Sequence, residues 1–179
     1  MSNDTSLLNV VRQTILQAGA LAKDFFDSQD SISFNRKSPK DLVTQADIQV
    51  ERFIKSQLNQ HFPEFGFWGE ESGKIGDKEN CWIVDPIDGT HSFFRKQYFW
   101  SISIALQLNS EIAFGAVYAP ALNDLYIGEK GKGATKNGSP MSVSETDRLQ
   151  DAMVCTGFAC LRDSLEQNNL PRFTRIALE

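Results

Sequence analysis

Histidine is nearly absent from this 179-residue sequence, with only His61 and His91, and cysteine is scarce, with Cys81, Cys155 and Cys160. Cys155 and Cys160 stand at no zinc-ligand spacing from another Cys or His, so a structural zinc site is not expected. An odd count of thiols, with no charged-then-apolar leader and no long apolar run, argues for a reduced, cytoplasmic protein whose cysteines act as small buried hydrophobes. No lysine- or arginine-rich stripe exists, and the formal charge of -5 is spread along the chain, which removes the electrostatic basis for binding nucleic acid or an anionic membrane. The glycine-rich run GEKGKGATKNG lacks the GK[ST] ending of a phosphate loop and reads better as a hairpin through Asn137 and Gly138. There is no candidate Ser-His-Asp arrangement, no internal repeat, no low-complexity tract and no obvious interdomain linker.

What is present suits one sizeable core, with 41% hydrophobic residues. From Leu7 to Phe26, apolar residues at Leu8, Val11, Ile15, Ala18, Ala22 and Phe25 fall at helical spacing. A short strand is expected over Ile32 to Lys37, then the polar turn KSPKD, where Pro39 disfavours helix at Ser38. A second helix should start near Thr44, whose spacing to Asp47 resembles a capping box, carry one face through Ala46, Val50, Phe53, Ile54, Gln57 and Leu58, and stop by His61 to Pro63. The runs FGFWGEE, CWIVD, SISIALQL, EIAFGAVYA and DLYIGE, separated by Gly, Asn and Asp, read as strands of one mostly antiparallel sheet. SISIALQL and EIAFGAVYA are joined by only Asn109 and Ser110. A last helix is expected over Leu161 to Ala177 despite Pro171.

The chemistry concentrates in CWIVDPIDGT. A strand ending at Val84 would deliver Asp85 to its carboxyl edge, and a tight turn through Pro86 and Gly89 would swing Asp88 to the same side. Two convergent carboxylates repel unless a cation lies between them, and Mg²⁺ is the hard ion that prefers such oxygens. Gly89 and Thr90 then open HSFFRKQYF, which could begin with one helical turn whose amides hold a phosphate. The competing reading is a plain turn in which Asp85 and Asp88 cap the next segment. Glu70 and Glu71, at the end of another strand-like run, and Asp47, at a helix start, would each singly read as a solvated turn and a helix cap. Together they place carboxylates at three separate element ends.

DLVTQAD (Asp41 to Asp47), GEES (Gly69 to Ser72) and DPIDGT (Asp85 to Thr90) resemble, in order and spacing, the three motifs of the inositol monophosphatase family of lithium-sensitive, magnesium-dependent phosphomonoesterases. GKGATKNGSPMSVS and the TGF of Thr156 to Phe158 extend the resemblance over nearly the whole chain. It implies an α+β fold: two N-terminal helices packed on a large mostly antiparallel sheet, the N-terminal part of a layered α-β-α-β-α sugar-phosphatase fold. It further implies Glu70, Asp85 and the Ile87 carbonyl on a first Mg²⁺, Asp85 and Asp88 on a second, and two or three ions in all. Asp88, Gly89 and Thr90 would bind the substrate, Thr90 with Glu70 and Asp47 would orient and deprotonate the attacking water, and Glu71 and Lys37 would stand outside the ligands on a mobile loop.

His91 and Ser92 depart from the family pattern at the rim of the phosphate site. Family members also continue past the equivalent of Glu179, through a GSAA segment and a WD motif whose aspartate completes the second metal site, so residues 1–179 are expected to form the N-terminal α+β domain without the C-terminal α/β domain. The activity implied is hydrolysis of a small phosphomonoester, foremost myo-inositol 1-phosphate, by a cytoplasmic homodimer with no nucleic-acid or membrane partner. The other readings are a 3'(2'),5'-bisphosphate nucleotidase, a histidinol-phosphate phosphatase or a fructose-1,6-bisphosphatase, and, from another class, a catalytically silent interaction module.

Overall fold

In the computed structural model, which describes residues 2–28, 34–36, 42–157 and 168–177, the first helix α1 runs from Ser2 to Asp27. Val11, Ile15, Ala18, Ala22 and Phe26 form its buried stripe, at steps of four and three that keep one face inward. The stripe ends on Phe26 rather than Phe25, which is only half-buried, because a step of four from Ala22 stays on the face. Strands β1 (Phe34–Arg36) and β2 (Leu42–Thr44) pair antiparallel, and helix α2 follows over Gln45–His61. Of the DLVT segment, Leu42–Thr44 is thus strand. Lys37 and the Thr44 side chain lie outside the described residues.

The main sheet contains β3 (Gly66–Gly69), β4 (Gly73–Ile75), β5 (Cys81–Asp88), β6 (Ser101–Leu108), β7 (Glu111–Ala119), β8 (Asp124–Glu129), β9 (Gly133–Lys136) and β10 (Ser139–Met141), in the order β10-β9-β8-β7-β6-β5-β3-β4. A short helix α3 (Thr90–Phe94) stands between β5 and β6. Asn109 and Ser110 both take positive φ, 51° and 65°, and close the β6–β7 hairpin; Asn137 and Gly138, at 50° and 82°, close β9–β10. Left-handed residues at both central positions match the twist of paired strands. Every pairing in the sheet is antiparallel except β3 with β5.

Both long helices pack on the sheet, α1 against β6 and β7 and α2 against β5. Strand alternation supplies the other side of the core: Ile102, Ile104 and Leu106 of β6, Trp82 and Val84 of β5, and Phe114 and Ala116 of β7 are buried. Gly19 permits the close approach of α1, since a Cβ there would lie 2.3 Å from the Tyr118 ring.

Residues 143–179 form a second compact unit, separate from residues 1–142. Its described helix, α4, is Leu170–Ala177; of the Leu161 to Ala177 helix that the sequence suggested, Asn168 and Asn169 are not helical and residues 161–167 are not described. Pro171 sits in its first turn, where a missing N–H costs nothing, and Asn168 precedes it with its Oδ1 accepting the Leu170 amide at 3.1 Å. Residues 158–167, including Cys160, lie outside the described residues. Cys81 is buried, as expected of a small hydrophobe, but Cys155 is exposed. It lines an open groove of about 450 Å³ with Phe173 and Ile176.

Candidate active site

The parallel β3–β5 pair builds the site. Gly69 aligns with Val84, so the residues that follow, Glu70 and Asp85, emerge side by side at one edge of the sheet. The Glu70 amide donates to the Val84 carbonyl at 3.3 Å, which continues the ladder one step beyond β3.

Strand β5 does not stop at Val84. It runs on to Asp88, and its pairing with β6 shifts register between Asp85, opposite Ser103, and Asp88, opposite Ser101. Three steps on β5 therefore face two on β6, which is a bulge of one extra residue. Carboxylates three apart on a regular strand point to opposite faces; the bulge restores Asp88 to the side of Asp85. The expected convergence of the two aspartates is thus achieved by a bulged strand rather than by a tight turn after Val84.

The electrostatics record this crowding. Burial, then the neighbouring carboxylates of Glu70 and Asp88, push the Asp85 carboxyl up from 3.8 to about 7, against a smaller opposing effect of the Ile87 amide. Asp85 Oδ1 is buried and meets no hydrogen-bond donor. Glu70 and Asp88 themselves stay exposed, and Asp88 borders an open groove of about 310 Å³ together with Gly89, Tyr98 and Phe99.

Gly89 has φ 91° and ψ 37°, left-handed values that suit glycine, and a Cβ there would stand 2.8 Å from the Phe99 carbonyl. It leads directly into α3, whose Phe93 amide returns to the Gly89 carbonyl at 3.0 Å. The Thr90 hydroxyl lies 3.1 Å from the Ile87 carbonyl and 3.5 Å from Asp47 Oδ1. Asp47, 1% exposed, is delivered to that point by the first turn of α2.

The sequence did not single out Glu51. Its carboxylate, only 3% exposed, accepts the Glu71 amide on Oε2 at 2.7 Å and the Ser72 amide on Oε1 at 2.9 Å. Gly69 makes room for it, since a Cβ there would approach Oε2 to 2.4 Å. The available signal was its position four residues after Asp47, on the face shared with Ala46, Val50, Ile54 and Leu58, where a charge must find partners.

Among the described residues, no three His, Cys, Asp or Glu side chains are drawn into a closed metal cage. The donor set nevertheless fits a hard divalent cation. Asp85 carries a buried oxygen with no donor, lies beside two further carboxylates, and is kept from ionising by burial and by those carboxylates, an environment that a cation would relieve.

Two helices layered on an eight-stranded, mostly antiparallel sheet, with carboxylates gathered at one edge of it, define the α+β fold of the sugar phosphatases. The Inositol monophosphatase family profile matches residues 3–175. An inositol-1-monophosphatase of Rhizobium meliloti is 40% identical over 156 residues, covering 86% of this chain and 58% of that protein. The structure of inositol monophosphatase from Anabaena (Nostoc) superposes with a TM-score of 0.83 at 31% identity, covering 97% of this chain and 64% of that one. The extragenic suppressor protein suhB from Bartonella henselae superposes at 0.77 with 36% identity, covering 80% and 57%. The chain belongs to the inositol monophosphatase family, and it spans less than two thirds of the length of each of these relatives.

Proposed function

We propose that this chain carries the metal- and phosphate-binding residues of a Mg²⁺-dependent phosphomonoesterase whose substrate is myo-inositol 1-phosphate. The observation that supports this most is the half-buried Asp85, held near pH 7 by burial, Glu70 and Asp88, with one oxygen left unpartnered. Such an arrangement is unfavourable in an empty protein and favourable around cations. Glu70, Asp85 and the Ile87 carbonyl would hold one Mg²⁺, and Asp85 with Asp88 a second. When bound, the ions supply Lewis acidity that polarises the phosphoryl group and eases deprotonation of water.

The chain's own groups do the positioning. The Thr90 hydroxyl, within reach of Asp47, orients the attacking water, and the buried Asp47 carboxylate accepts the proton that Thr90 passes on. The amides of Gly89 and Thr90 face the phosphate, and only glycine at position 89 allows that backbone path. In the same reading, residues 1–179 correspond to the N-terminal part of the family fold, acting as a cytoplasmic homodimer. Among the described residues, no helix is long and apolar enough to cross a membrane.

The substrate claim is tested by phosphate release from a panel of esters with Mg²⁺. Myo-inositol 1-phosphate should be hydrolysed fastest. A clear preference for a 3'(2'),5'-bisphosphate nucleotide, histidinol phosphate or fructose 1,6-bisphosphate would replace the assignment.

A further inference from the structure

Helix α2 brings two buried carboxylates to the site one turn apart, and only Asp47 has so far been given a task. Glu51 sits beneath the turn that follows β3, with each oxygen of its carboxylate on a different amide, Glu71 at 2.7 Å and Ser72 at 2.9 Å. This is a charge-assisted, two-point grip on backbone. Glu70 lies between two fixed points. On one side Gly69 is paired with both Gly73 and Val84; on the other, the amide of Glu71 is held by Glu51. Its own amide makes only the longer 3.3 Å contact to Val84.

We propose that Glu51 is a positioning residue that presets the Glu70 turn for cation capture, so that α2 acts as a ruler setting Asp47 against Thr90 and Glu70 against Asp85. This rests on the Mg²⁺ reading above. Glu70 is exposed and carries a flexible side chain, so without a fixed backbone the cation would bear the cost of ordering the turn as it binds. Glu51 has that order in place beforehand. A glutamine cannot replace it: one of its two ends is a donor, which would face one of the two amides donor to donor. Gly69 belongs to the same device, because a side chain there would displace the carboxylate.

Coupling of this kind is reciprocal. If Glu51 orders the turn for the cation, the cation must further protect the turn.

The test uses the full chain, with Mg²⁺ as titrant, and the variants Glu51→Gln and Gly69→Ala. In metal-free protein both variants should speed hydrogen exchange at the Glu71 and Ser72 amides while leaving the Ile104 amide, in the centre of β6, unchanged. By calorimetric titration both should bind Mg²⁺ at least about tenfold more weakly, the usual effect of losing an outer partner of a ligand. Added Mg²⁺ should slow exchange at Glu71 and Ser72 in the wild type. The double variant should bind no more weakly than the worse single one, because both changes release one grip. Should Glu51→Gln fail to fold, Gly69→Ala reports the same loss from the opposite side. If wild type binds Mg²⁺ and both folded variants bind it equally well, Glu51 is merely structural and the proposal falls while the Mg²⁺ reading stands. If the folded wild type takes up no Mg²⁺, the underlying reading falls and the proposal with it.

Discussion

Acidification through neutrality should strip Mg²⁺ from this protein over a window that an ordinary aspartate would not produce. Asp85 is pushed up to about 7 from 3.8, first by burial and then by the carboxylates of Glu70 and Asp88. A cation that needs the ionised form must therefore displace a proton below that value. Apparent affinity should be about tenfold weaker near pH 6 than near pH 8, with close to one proton released per ion at the lower pH and almost none at the higher. Titration calorimetry in two buffers of different ionisation enthalpy reads both quantities. The same shift governs folding of the metal-free chain. A carboxyl whose folded value is raised contributes stability that is fully present below its unfolded value near 3.8 and is lost as pH rises through about 7. Urea denaturation in chelator should therefore show metal-free stability falling across that window, and Mg²⁺ should restore it at the upper end. Affinity that stays flat between pH 6 and pH 8, with no proton release, would refute the reasoning, because it would mean that burial and the two neighbouring charges do not act on Asp85.

Three substitutions probe the rest of the site. Asp88→Asn should reduce turnover to background with the thermal midpoint little changed, since Asp88 is exposed and contributes a charge rather than packing; retained activity would remove it from the ligands. Thr90→Ala should lower kcat at least about tenfold while Mg²⁺ affinity stays within about twofold, because in the proposed function its hydroxyl would orient water rather than hold a cation; an unchanged kcat would exclude it from the chemistry. Gly89→Ala should destabilise the fold by about 2 kcal/mol in chemical denaturation, combining a left-handed backbone with a clash against the Phe99 carbonyl. A change near zero would show that β5 and the chain after α3 move apart freely.

Local periodicity made α1, α2 and the hairpins legible. Val11, Ile15 and Ala18 announce a face, and Asn109–Ser110 and Asn137–Gly138 announce turns, because those signals depend on residues close in sequence. Strand partners are another matter. Nothing in FGFWG or CWIVD says that they pair in parallel, yet that pairing alone puts Glu70 beside Asp85. The bulge that reunites Asp85 with Asp88 depends on their pairing with Ser103 and Ser101 of β6, more than a dozen residues away along the chain, so the sequence suggested a turn instead. The carboxylates Asp47, Glu70, Asp85 and Asp88 were visible through their motifs. Glu51 was not, because a glutamate on a helix reads as solvated until the turn it holds is folded against it. Pro171 was visible as an obstacle to the last helix, but not as a residue of its first turn.

The most direct test of the account is phosphate release from myo-inositol 1-phosphate by the purified chain, measured in chelator, with Mg²⁺, and with Li⁺ added to Mg²⁺. The account predicts turnover that requires Mg²⁺, falls with Li⁺ and disappears in Asp88→Asn. Turnover that persists in chelator, or a folded chain that binds Mg²⁺ and ester yet releases no phosphate, would contradict it.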